Sequence, residues 1–158
     1  MNRNVLIFLA AGGSLALLLG AWGFQYIGGM SPCKMCLWQR WPHMAAVPIG
    51  ILALAAPMAI LPIAGAIAAA TSGAIGVFHT GVERGWWEGP SSCTSGAIEN
   101  LSPEDLLNQI MTAPLVRCDE IAWEMFGLSM ASWNAVASFT LAALWLLAAQ
   151  ASAPQTHL

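Results

Sequence analysis

Four cysteines fall in this chain as one close pair, Cys33-Lys34-Met35-Cys36, and one wide pair, Cys93 and Cys118. Cysteine does its chemistry as the thiolate, the species that attacks disulfides and electrophiles. Ser31-Pro32 stands just before the close pair. With Ser31 as a cap and Pro32 as the first helical residue, both cysteines would sit at a helix N-terminus. There the helix dipole and the charge of Lys34 would favour the thiolate. Arg40 lies four residues past Cys36 and seven past Cys33, so a continuous helix would stack all three on one face. Pro42 either interrupts that helix or opens the next element with Arg40 just above it. In both settings Arg40 is a cation at the membrane surface near Cys36. It could steady a thiolate or the oxygen of a polar-headed lipophilic ligand, or it could simply snorkel to lipid headgroups.

Cys93 and Cys118 are 25 positions apart. A disulfide between them could be a structural staple, worth about 2–4 kcal/mol, or a second redox pair. A zinc site is a third reading. One C-x-x-C plus two distant lone cysteines fits zinc poorly, and no histidine flanks Cys93 or Cys118 at ligand spacing, so no metal is expected. His79 has Glu83 one turn beyond it and Arg84 after that. It is either a polar tip in the headgroup zone or a functional group, since ionisable residues in a membrane are costly and mark sites. His43 and His157 have weaker claims.

The elements that must position these residues are written in the composition. Of 158 residues, 58% are hydrophobic and 8% charged, against about 25% charged in soluble domains. A soluble globule could not cover its surface with so few polar groups, and no basic cluster points to nucleic acid. All eight acidic residues lie between Glu83 and Glu124. A spanning helix needs about 20 mostly apolar residues. Residues 5–24 meet that without a charge, as do 130–149. No formal charge occurs between Arg40 and Glu83, a length that suits two spans, about 41–56 and 62–82, with Pro57 and Pro62 bracketing the turn. Lipid offers no partner for free backbone groups, so each span must be helical. Residues 5–19 behind Arg3 also have the make-up of a signal-peptide core, but no A-x-A-like cleavage site follows, and a retained span is expected.

Four spans put both termini on one side and the loops 25–40 and 83–129 on the other. Arg3 favours a cytoplasmic N-terminus, although Lys34 and Arg40 lie in the first opposite loop. All four cysteines are in these two loops, and cysteine pairs persist as disulfides mainly outside the reducing cytosol. The loops are therefore placed outside the cytoplasm. The expected fold is all-α: a single integral membrane domain over 1–158, a four-transmembrane-helix bundle whose second outer loop is long and carries a short amphipathic helix. Ser102-Pro103-Glu104-Asp105 starts that helix, and Leu106, Leu107, Ile110 and Met111 make its apolar face. It either lies on the membrane surface or packs on the rest of the loop. Trp22, Trp38, Trp41 and Trp133 lie near span ends, as interfacial belts do.

Ser31-Pro32-Cys33-Lys34-Met35-Cys36-Leu37-Trp38-Gln39-Arg40 resembles the P-C-x-x-C-x-x-x-R segment of the DsbB family of disulfide bond formation proteins. The stretch from His79-Thr80-Gly81-Val82-Glu83 through Trp87-Glu88-Gly89-Pro90-Ser91-Ser92-Cys93 also looks like a branch of that family. The resemblance covers nearly the whole chain. It implies a multi-pass protein of the bacterial inner membrane, with periplasmic cysteine loops, that reoxidises a DsbA-like thioredoxin-fold partner and passes the electrons to a membrane quinone, ubiquinone or menaquinone. It also implies roles for the cysteines. Cys93 would take the partner's thiolate, and electrons would pass from Cys93–Cys118 to Cys33–Cys36 through a Cys33–Cys118 interloop disulfide. Cys36 would face the quinone with Arg40 beside it, and His79 would line the quinone pocket. Where family members carry an acid before the arginine this chain has Gln39, which leaves the electrostatics near Cys36 open.

A DsbA-type partner at about −120 mV is already a strong oxidant, so its regeneration needs a stronger one, which a quinone can be. Two rivals differ in class. The vitamin K epoxide reductase family is also helical, four-cysteine and quinone-linked, but there the loop pair precedes the C-x-x-C; here the C-x-x-C comes first. A non-catalytic membrane scaffold would hold its cysteines as static disulfides.

Overall fold

Long uncharged runs rich in alanine, leucine and isoleucine can satisfy their backbone in lipid only within helices, and here they form four long ones. They are α1 (Arg3–Tyr26), α2 (Lys34–Ala55), α3 (Ile60–Glu83) and, after a shorter α4 (Pro103–Thr112), α5 (Met130–Gln150). The computed structural model describes residues 2–94, 102–112 and 116–151. Three of the helices, α1, α3 and α5, are long and apolar enough to cross a membrane. Their bounds lie within two residues of the spans expected from sequence.

α2 departs from expectation. It begins at Lys34 rather than near residue 41, and it runs unbroken through Pro42 and Pro48. A proline in a helix removes one backbone donor and crowds the preceding turn. Pro42 leaves the Trp38 carbonyl without its helical donor; at the next residue the Ser72 hydroxyl of α3 donates to the Gln39 carbonyl at 2.8 Å, fastening this turn of α2 to α3.

The chain is also not purely α-helical. β1 (Glu124–Met125) and β2 (Leu128–Ser129) pair antiparallel, Glu124 opposite Ser129 and Met125 opposite Leu128. The two turn residues, Phe126 and Gly127, have φ of 54° and 72°. Two positive φ values in a two-residue loop define the primed turn that matches strand twist. A Phe-Gly pair is an unusual signal for it, which is why the hairpin was not expected. The hairpin leads directly into α5, whose cap Ser129 accepts from the Ser132 amide. The Arg84 guanidinium donates to the Gly127 carbonyl at 2.7 Å, tying the end of α3 to the turn.

In the bundle α1 packs on α2 and α5, α2 on α3, and α3 on α5. Trp145 of α5 is fully buried, with Leu6, Ile7, Ala10, Ala53, Ala66 and Ala69 in the same core. Small residues on α3 make that approach possible: a Cβ on Gly65 would stand 2.5 Å from the Trp145 ring. Phe8, Leu19, Ile51, Ile67 and Phe139 face outward, as suits a surface bathed in lipid. His43 is buried between helices. Its Nδ1 meets the Ser14 hydroxyl of α1 at 3.2 Å and its Nε2 the Ser138 hydroxyl of α5 at 3.0 Å.

The helix expected after Ser102 is α4. Its Leu107 and Met111 are exposed; the side chains of Leu106 and Ile110 lie outside the described set.

Candidate active site

Cys33, not Ser31, caps α2. Its backbone is extended (φ −71°, ψ 170°) and its sulfur accepts the Cys36 amide N–H at 3.2 Å. The expected placement of the C-x-x-C at a helix N-terminus holds, with its register shifted: Pro32 lies outside the helix and Lys34 is its first residue. The two cysteines are reduced, with their Sγ atoms 2.8 Å apart. A hydrogen bond shared with the Cys36 thiol, supported by His79 and by the Cys36 amide, outweighs burial and holds Cys33 down at about 5, against 9.0 for an ordinary thiol. Cys33 is thus the sulfur that these neighbours favour as the thiolate.

His79 is brought to the pair by α3. Its Nε2 stands 3.6 Å from Cys33 Sγ and 3.7 Å from Glu83 Oε1. On its other side, Gln39 Nε2 lies 2.9 Å from His79 Nδ1. The Gln39 amide is itself oriented, since its nitrogen donates to the Met35 carbonyl at 3.2 Å and its oxygen accepts from Asn134 at 2.8 Å. A nitrogen that accepts from Gln39 leaves the ring proton on Nε2, facing the Cys33 sulfur. An interhelix chain therefore runs Asn134 (α5), Gln39 (α2), His79 (α3), Cys33. Glu83 Oε2 is buried without a hydrogen bond among the described residues.

Cys93 and Cys118 are joined as a disulfide, with Cα atoms 5.3 Å apart. The Cys118 amide donates to the Cys93 carbonyl at 2.7 Å and the Cys93 amide to the Pro90 carbonyl at 3.0 Å, so the bridge is braced by backbone. The disulfide packs into one cluster with Cys33, Met35 and Val82, and Cys36 and Val116 lie against it. The two pairs, far apart in sequence, are spatial neighbours. Cys93 is 1% exposed and Cys118 0%.

The loop is seated by α3. Trp87 folds back so that its ring stacks on Phe78 at 5.9 Å and its indole N–H donates to the Phe78 carbonyl at 2.8 Å. Gly81 lies under that indole, where any Cβ would overlap the ring. Gly89 packs the same way on Val82 and Thr94.

Cys33, Cys36, Arg40, His79 and Glu83 line one cavity of about 110 Å³, walled on its apolar side by Leu17, Leu18 and Ala21 of α1 and closed by Asn134, Val116 and Trp123. Arg40 holds the α1 end of this cavity. Its guanidinium donates to Gln25 Oε1 at 2.6 Å and to the Ala21 carbonyl at 3.4 Å. All six site residues expected from sequence are thus gathered in the cavity wall or the cysteine cluster beside it. Glu83 stands beside His79 as its place one turn beyond suggested, whereas Gln39 and Asn134 were not foreseen as partners. Their only sequence signal is that polar groups inside apolar runs need partners, and spacing alone does not say which.

The chain matches the family described as disulfide bond formation protein DsbB over residues 3–148. It is 32% identical over 160 residues to disulfide bond formation protein B of Xanthomonas oryzae pv. oryzae strain MAFF 311018, covering 96% of this chain and 90% of that protein. It is 30% identical over 136 residues to the protein of the same name from Shewanella sp. strain ANA-3, covering 82% and 77%. A relative from Polaromonas sp. strain JS666, again so named, is 28% identical over 93% of this chain and 90% of its own length. No solved structure gives a significant match.

Proposed function

The chain belongs to the DsbB family of disulfide bond formation proteins, and from that premise we propose that it reoxidises a DsbA-like periplasmic partner by passing electrons through its two cysteine pairs to a membrane quinone. The observation that carries this reading is the single buried cluster holding a reduced C-x-x-C against the Cys93–Cys118 disulfide, beside a cavity that the C-x-x-C lines. A structural staple has no need of a second, reduced pair packed against it.

In the proposed sequence the partner's thiolate attacks Cys93, forming a mixed disulfide and releasing the Cys118 thiolate. Cys118 attacks Cys33 of an oxidised Cys33–Cys36 pair. That forms the Cys33–Cys118 link and frees Cys36 as a thiolate, the species that a cavity-facing sulfur then presents. The partner's second thiol resolves the mixed disulfide, and return of Cys118 to Cys93 leaves Cys33 and Cys36 as a dithiol. Bonds balance at each exchange, and the two electrons reside on the C-x-x-C. A quinone supplies the terminal step by accepting two electrons and two protons. The cavity suits such a ring: an apolar wall from Leu17, Leu18 and Ala21, donors from Arg40 and Asn134, and the two sulfurs. Arg40 would hold a ring oxygen. His79, with its proton on Nε2, would hold the proton exchanged at Cys33.

In this reading α2 is the fourth span. The protein then lies in the bacterial inner membrane as one domain with both termini cytoplasmic and the cysteine loops periplasmic, and α4 rests its exposed Leu107 and Met111 on the membrane surface. The test is purified protein, ubiquinone or menaquinone, and a reduced DsbA-like partner, followed by quinone absorbance. Partner oxidation that tracks quinone loss is expected. Oxidation that proceeds equally without quinone, or not at all, overturns the reading. Cys33→Ala must abolish it.

A further inference from the structure

Cys33 Sγ, Cys36 Sγ and His79 Nε2 all lie within 4.8 Å of one another. We propose that the reduced Cys33–Cys36 pair and His79 together form a binding site for a thiophilic divalent cation of the zinc type, one that exists only while the pair is reduced. In sequence the C-x-x-C lacks further ligands; α3 supplies the third from 43 positions beyond Cys36.

The geometry is close to what such an ion takes. Metal–ligand bonds of about 2.3 Å to sulfur and 2.0 Å to nitrogen, on tetrahedral angles, set ligand atoms roughly 3.5–3.8 Å apart. Cys33 Sγ and His79 Nε2 already stand at 3.6 Å, and the two sulfurs need only spread from 2.8 Å. Cys36 sits in the first turn of α2, so a rotation of its side chain is enough. The charges also suit a site at the membrane edge. A coordinating thiol is deprotonated outright, so two thiolates neutralise a divalent cation, and the Glu83 carboxyl, its Oε1 3.7 Å from the same His79 Nε2, stands beside the site. A fourth position is left on the cavity that all three ligands line.

Gln39 is the outer-shell control. Metal on Nε2 requires the ring proton on Nδ1, and a ligating histidine is strengthened by an acceptor for that proton. Gln39 stands at 2.9 Å from Nδ1 but faces it with its nitrogen. A carboxylate there would be a better acceptor. Gln39→Glu therefore should tighten the site and His79→Ala weaken it.

Metal binding follows from this geometry alone. Its effect on turnover, an arrest in the reduced state because both sulfurs are occupied, rests on the proposed relay. The experiment is cadmium titration of the full chain in detergent, reduced so that Cys33 and Cys36 are thiols, followed by the thiolate-to-metal charge-transfer absorbance. One cadmium per chain is expected, with zinc competing for it. His79→Ala should weaken binding by at least about tenfold, since even outer-shell partners are worth about 10–100-fold. Gln39→Glu should tighten it by about tenfold. Equal cadmium affinity in wild type and a folded His79→Ala chain overturns the proposal, because the dithiol alone then accounts for binding. If His79→Ala does not fold, Gln39→Glu decides, and unchanged or weaker binding overturns it. Binding of the metal by the oxidised chain with equal affinity, measured by dialysis, also overturns it. None of these readouts involves quinone, so a failed relay and a failed metal site are told apart.

Discussion

At the scale of single residues, the hydrogen bond shared with the Cys36 thiol does most to make Cys33 the thiolate of the pair. The Cys33 Sγ accepts the Cys36 amide N–H and shares a hydrogen bond with the Cys36 thiol. Alkylation of the reduced protein by iodoacetamide should therefore modify Cys33 first, with a rate that rises through a midpoint near pH 5. The Cys36 thiol is the largest cause of that depression and His79 a smaller one. Cys36→Ala should consequently move the midpoint toward 9 by more than His79→Ala does. The linkage has a definite sign. A thiol whose folded value lies below its unfolded value contributes stability that is fully present above about pH 9 and is lost as pH falls toward 5. Thermal melts of the reduced chain should show that trend, and Cys33→Ser should flatten it. The close cysteine pair and its place at a helix N-terminus were legible from C-x-x-C spacing, but the cap was not: Cys33 takes the place expected of Ser31. Nor was the orientation of His79 legible, because it depends on Gln39 and Asn134, which meet only when α2, α3 and α5 are packed.

At the scale of elements, small residues and hydroxyls let α2, α3 and α5 approach. Ser72 donates to the Gln39 carbonyl beside Pro42 and accepts from Asn134 at 3.1 Å. Ser72→Ala leaves these buried groups short of a partner and should cost about 1–3 kcal/mol, read as a lowered denaturation midpoint in detergent. Gly65→Val would drive a branched side chain into Trp145 and should cost about 1–3 kcal/mol by overpacking. Helix existence and most bounds were legible, since charge-free runs of spanning length have few alternatives. The early start of α2 was not. Proline reads as a boundary from local rules, and the packing that carries α2 through it comes from another helix. The Phe126-Gly127 hairpin escaped for the converse reason: its turn conformation is carried by a phenylalanine at positive φ.

At the scale of the whole molecule, burial of Cys93 at 1% exposure means that a protein thiolate cannot reach it while the loop is seated. In the proposed relay the loop must lift for the partner's thiolate to reach Cys93. Gly89→Val, which would overlap Thr94 and Val82, should unseat the loop and speed reduction of Cys93–Cys118 by dithiothreitol, measured by thiol trapping. An unchanged rate would mean that the disulfide is already reached another way. That both loops lie on the same side of the bundle followed from counting spans. That one covers the other did not, because closure over the C-x-x-C is set by Trp87 stacking and glycine contacts with no periodic trace.

The histidine at the bundle centre has a consequence of a different kind. Inside lipid, apolar helix faces are nearly interchangeable, and packing alone tolerates many rotational settings. His43 uses both ring nitrogens, one on Ser14 of α1 and one on Ser138 of α5. Rotating either helix by a fraction of a turn would strand a buried polar atom. His43 thus works as a key that three helices must turn together to fit, selecting one assembly in which α2 delivers its cysteine-bearing end to the mouth of the cavity.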